Sequence, residues 1–176
     1  MNTRVLVSLA LLVGMGTVLH AVIPGFFLGM KPDMMLTMMF LGIILFPSKQ
    51  AVGLLGVTTG VISGITTSFP GGLLPNMIDK PVTALIFVSL FLMLRKYRES
   101  VSVVSVAVLA AVGTIISGVV FLIAALLLAG LPGSTAFSGL FFAVVLPTAV
   151  INTIVMIVIY PIAVSIFKHK NSTVQL

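Results

Sequence analysis

The sequence predicts an all-α integral membrane protein, a compact bundle of six transmembrane helices, and three observations carry that prediction. Hydrophobic residues make up 60% of the 176 and charged residues only 7%, whereas soluble domains run near 25% charged. The apolar residues fall into six runs divided by proline, glycine and charge, the punctuation expected between helices. Threading those runs alternately through a bilayer gathers Arg4, Lys49, Arg95, Lys96, Arg98, Lys168 and Lys170 on one side. The positive-inside rule makes that side cytoplasmic, with both termini inside. No room is left for a soluble domain, so 1–176 reads as one transmembrane domain.

The first run, Val5 to Ile23, follows Arg4 and holds about 19 residues, enough to span. That length, and the lack of a small-x-small cleavage site, separate it from a signal peptide. Met34 to Phe46 and Val82 to Leu94 are shorter, about 13 residues each, or roughly 20 Å of helix against a core of about 30 Å. Re-entrant segments at these two places would leave four spans, moving Lys49 outside and Lys80 inside with the same overall split of basic charge. Six spans is the preferred reading, because each short run can extend at its outer end through the polar residues before it. The remaining runs are Ala51 to Phe69, ended by Pro70-Gly71-Gly72, then Val101 to Leu128 and Phe137 to Phe167, parted by Leu131-Pro132-Gly133. Gly56, Gly60 and Gly64 recur at helical spacing, as do Ala10 and Gly14, and each set lets another backbone approach closely. Internal packing is the plainer role, and docking of a partner subunit the sharper one, strongest for Ala10 and Gly14.

Several function classes are excluded. The sequence pI near 10.2 comes from basic residues at run ends, where they set orientation and meet lipid headgroups, so nucleic acid is not an expected partner. With no cysteine, disulfides, thiolate chemistry and cysteine metal sites are out. Neither aspartate lies in a GxGD-like sequence, and GxSxG, HExxH and GxxxxGK[ST] are all missing. No enzyme, cofactor or metal site is expected, and any ATP hydrolysis must come from another polypeptide.

What remains is a set of charges at membrane depth. Placing one at a helix centre costs about 2.5–3.5 kcal/mol, which marks Lys31, Asp33, Asp79 and Lys80 as candidates. Their plain reading is interfacial: aspartates at helix starts, with lysines snorkelling beside them. Their functional reading is that two stretches, GMKPDMML and PNMIDKP, meet on the outer face and receive a zwitterion, an acid taking its ammonium and a base its carboxylate. Phe26, Phe27, Met30, Met34, Met35, Met38, Met39, Phe69, Phe137, Phe141 and Phe142 supply surface suited to a flat aromatic ligand, although such residues are also ordinary packing. Asn76, beside Pro75 and near Asp79, joins the site candidates. So do His20, as ligand or proton relay, and Asn152, which follows Pro147 and whose plainer role is bonding between helices.

Those residues also carry a resemblance. His20-x-x-x-Pro24, GMKPDMMLTMMF at 29–40, FPGGLLPNMIDKP at 69–81, LPG near 131 and VVLPTAVINT at 144–153 resemble the bacterial tryptophan transporter family TrpP over nearly the whole chain. That family in turn looks like the substrate-binding S components of energy-coupling-factor transporters, compact six-helix membrane proteins whose first helix meets an energising module through a small-x-x-x-small face. The resemblance implies tryptophan uptake across the cell membrane, with Lys31, Asp33, Asn76, Asp79 and Lys80 as matching polar positions. Ala10 and Gly14 would meet an energising membrane subunit with its ATPases, with glycine standing where the pattern has a second alanine. Proton coupling through His20 or an aspartate is the competing source of energy. Two other functions stay open: a carrier for another aromatic or indole compound, and a non-transporting membrane partner or scaffold.

Overall fold

The computed structural model describes residues 1–23, 32–97, 101–131 and 137–170, the last three by backbone alone. Lys31, Phe26, Phe27, Met30 and Arg98 lie outside the described residues, as do the side chains of Lys168 and Lys170. Six helical rods result: α1 (Thr3–Val22), α2 (Met34–Leu45), α3 (Lys49–Ile65), α4 (Leu73–Tyr97), α5 (Val103–Leu128) and α6. The last runs through Phe137–Leu140, a π-helical turn at Phe141–Val145, and Leu146–Lys170. Four of them, α1, α4, α5 and α6, are long and apolar enough to cross a bilayer. The protein is a multi-pass helical membrane protein.

The short apolar runs resolve in two different ways. The run from Val82 becomes part of a 25-residue helix that begins at Leu73 and takes in Asn76, Asp79, Lys80 and Pro81. Pro75 does not prevent this, since amides of a first helical turn have no intrahelical partner to lose. The run from Met34 is not extended. Asp33 caps it, its carboxylate accepting from the Leu36 amide at 3.1 Å, and all 12 of its residues are buried. A helix apolar all round belongs in a core or in lipid, and α2 sits in the core, packed by every other rod. Its length of about 18 Å is therefore sufficient. Its start lies beside His20 near the end of α1, and its far end reaches the Phe167 ring, edge-on to Phe46 at 5.6 Å.

Lipid is as apolar as leucine, so close fit has to hold these rods together. Phe40 of α2 stacks on Phe87 of α4 at 4.0 Å, nearly parallel. Gly113 of α5 lies against both rings, where a Cβ would come within 2.8 Å of each. Gly56, Gly60 and Gly64 of α3 face α4, where added methyls would meet Pro81, Asn76 and Leu73 at 2.8–3.1 Å. This stripe packs internally. Between α3 and α4 the chain reverses at Pro70-Gly71-Gly72, where Gly71 has φ 71°, a left-handed conformation that favours glycine. That turn sets Phe69 into the bundle, almost fully buried.

Candidate functional site

The two polar stretches meet. Asp33, at the start of α2, accepts from the Lys80 ammonium of α4 at 2.6 Å. Lys80 also donates to Asp79 at 2.5 Å and to the Ser117 hydroxyl of α5 at 3.3 Å, so its three N–H groups have three acceptors. Asp79, wholly buried, accepts in addition from Ser117 and Thr83, each at 2.8 Å. His20 places Nδ1 3.9 Å from the other Asp33 oxygen. Two carboxylates thus share one ammonium, with an imidazole at the edge. Such a group is tolerable at membrane depth because it is paired and hydrogen-bonded.

Beside this cluster opens a cavity of about 100 Å³. Its two sides differ in character. His20, Asp33, Asn76 and Lys80 form a charged and polar side, while Phe69, Phe121, Leu122, Val144 and Val145 form an apolar one. Phe69 and Phe121 meet edge-to-face at 5.2 Å, and Gly118 gives Val145 its space, since an added methyl there would overlap the valine side chain. The apolar side is supplied by α5 and α6, which pack on each other, and by the turn carrying Phe69. A cavity with ionic groups on one side and a flat apolar slot on the other is shaped for an amphipathic molecule with a charged end.

With that geometry in place, the sequence comparisons decide the family. The family model described as Tryptophan transporter TrpP matches residues 2–168. The chain belongs to that family. It is similar to the probable tryptophan transport protein of Bacillus subtilis strain 168, 55% identical over 171 residues, covering 97% of this chain and 96% of that one. It is also 40% identical to proteins of the same name from Clostridium perfringens, over 169 residues, 92% of this chain and 91% of that one, and from Clostridium acetobutylicum, over 161 residues, 91% of each. No solved structure matches.

In this TrpP-family chain the residues singled out from sequence fall at three depths. Asp33, Lys80, His20 and Asn76 line the cavity, Asn76 also tying its amide to the Gly72 carbonyl at 2.8 Å. Asp79 stands behind Lys80 and does not line the cavity, acting as the buried counter-ion that fixes it. Asn152 is also away from it: fully buried on α6, it donates to Thr114 of α5 at 3.3 Å, a bond between helices. Ala10 and Gly14 lie on the exposed outer face of α1, with open space around Gly14. Phe142 points outward, and Met34, Met35, Met38 and Met39 belong to the packed core. Among the described residues no group of three or more potential metal ligands forms. Sequence reading missed Ser117, Thr114, Phe121, Val145 and Thr148. The only signal for the three hydroxyls was polarity inside an apolar run, which is common in membrane helices.

Proposed function

We propose that this protein carries tryptophan inward across the cell membrane, taking the zwitterion between Asp33 and Lys80. The observation that carries the reading is their 2.6 Å ion pair at a cavity that aromatic and aliphatic side chains also line. An incoming zwitterion inserts into that pair: its ammonium takes the Asp33 carboxylate, and Lys80, still held by Asp79, turns its freed N–H to the ligand carboxylate. Each ionic bond given up is replaced by one of the same type, so charge is not stranded in a poorly solvated site. The indole lies against Phe69 and Phe121. The chain contains no tryptophan, so the emission of added ligand reports binding without protein background. A shift and quench that saturate with protein are expected. Unchanged emission up to millimolar ligand overturns the substrate assignment, and with it gives the scaffold reading its case.

The same reading takes all six rods as transmembrane, with both termini cytoplasmic. Contact between Asp33 and Lys80 supports it, since the alternative with two re-entrant segments puts their stretches on opposite faces. It also takes the bundle as akin to the S components of energy-coupling-factor transporters, and the exposed Ala10 and Gly14 face supports docking of an energising subunit there. The proximity of His20 to Asp33 favours the competing mode, proton coupling by a solitary carrier. Uptake by the purified protein in sealed vesicles, with and without a pH gradient, separates the two.

A further inference from the structure

Two buried hydroxyls line the cavity without a hydrogen-bond partner among the described residues, Ser63 and Thr148. A buried polar atom left unpaired is costly, and one lining a ligand cavity is placed to find its partner in the ligand. Ser63 stands on α3, against α4, the helix that carries Lys80. Thr148 stands on α6, one turn beyond Val144 and Val145, and is only 7% exposed. Thr114 and Ser117 of α5 also line the cavity but have hydrogen-bond acceptors, whereas the Thr148 hydroxyl has no partner among the described residues.

Its unpaired state contrasts with the pairing of most helical threonines here. Thr17, Thr58, Thr66, Thr114 and Thr153 each donate to the carbonyl four residues earlier in their helices, the usual way for a membrane hydroxyl to satisfy itself. Thr148 follows Pro147, which brings no amide proton, and a π-helical turn in which the Leu146 amide reaches back five residues to the Phe141 carbonyl. Thr37 and Thr59 also lack a partner among the described residues, but Thr148 lines the cavity and they do not.

The geometry points to Thr148 as the residue that recognises the indole N–H, its Oγ1 accepting that hydrogen bond, and so as a determinant of selection for indole over other aromatic rings. This rests on the tryptophan reading above. Asp33 and Lys80 hold groups that every amino acid has and cannot make this distinction, whereas an apolar slot separates flat rings of similar size only weakly. An unpaired acceptor in the cavity that Phe121 and Val145 also line adds that discrimination.

The test compares tryptophan with its benzothienyl analogue, in which sulfur replaces the N–H, and with 1-methyltryptophan, by direct binding to the detergent-solubilised full chain. Thr148→Val, which keeps shape and removes the hydroxyl, should weaken tryptophan roughly tenfold and leave the sulfur analogue within about twofold. Thr148→Ser should retain tryptophan binding. Equal losses for both ligands in T148V, or no loss for tryptophan, overturn the assignment while tryptophan binding by the unaltered protein stands. Should T148V fail to fold, the unaltered protein still decides: 1-methyltryptophan should bind about tenfold more weakly than tryptophan, and equal affinity sinks the proposal. If the unaltered protein binds no tryptophan at all, the substrate reading falls together with this one.

Discussion

On the α4 side of the cavity Lys80 is held by bonds to Asp33, Asp79 and Ser117, whereas on the α6 side Val145 is held by its fit against the bare backbone of Gly118. The first side is held by ion pairs because charges at membrane depth must be paired, and in the proposed reading it takes the groups that all amino acids share. The second is shaped chiefly by packing, and in the same reading it selects the side chain. If the two sides act separately, damage to one should leave recognition by the other intact. Neutral indole, which lacks both charges, probes the apolar side by itself.

The largest effect is expected at Lys80. Lys80→Met leaves two buried carboxylates facing each other, a loss of roughly 3–5 kcal/mol in stability, seen as a lower unfolding midpoint in detergent, together with loss of tryptophan binding. Adding Asp79→Asn should restore much of the stability and none of the binding. Next comes Gly118→Val: overpacking costs about 1–3 kcal/mol, and displaced Val145 should abolish indole and tryptophan binding alike in calorimetric titration. Asp33→Asn, at the cavity edge, should weaken tryptophan about ten- to a hundredfold, in line with a charged hydrogen bond worth roughly 1.5–3 kcal/mol, while indole affinity holds. If Asp33→Asn weakens indole equally, the two sides are not independent. The smallest effect on the purified protein belongs to Gly14→Leu, on the exposed face of α1. Binding and unfolding should be unchanged, and cellular uptake should fall only where a partner docks.

Of these two sides, the charged one was legible in sequence. Aspartate and lysine at the ends of apolar runs stand out because lipid penalises them, so Asp33, Asp79 and Lys80 could be singled out and their two stretches brought together from sequence, though not which acid pairs with which base. Asp79 and Lys80 were expected where the run from Val82 extends outward through the polar residues before it, and the helix from Leu73 takes them in, with Pro75 in its first turn and Pro81 absorbed within a long rod. The apolar side was largely invisible: phenylalanine, valine and glycine occur in every run, and which ones face a cavity depends on helix rotation. Thus Phe69 was foreseen and Phe121 was not, while Phe142 turned to the outside. Glycine stripes show the same limit. Gly56, Gly60 and Gly64 and the pair Ala10 and Gly14 have the same spacing, yet one set is sealed against α4 and the other exposed. Spacing states that a backbone can come close, and only the fold says whose.

The complete enclosure of α2 bears on how the molecule is made. Twelve residues capped by an aspartate cannot be anchored across a bilayer alone, so this segment has no resting place until its neighbours have gathered. Its enclosure brings Asp33 to Lys80, so the ion cluster beside the cavity is complete only when α2 is surrounded by its neighbours.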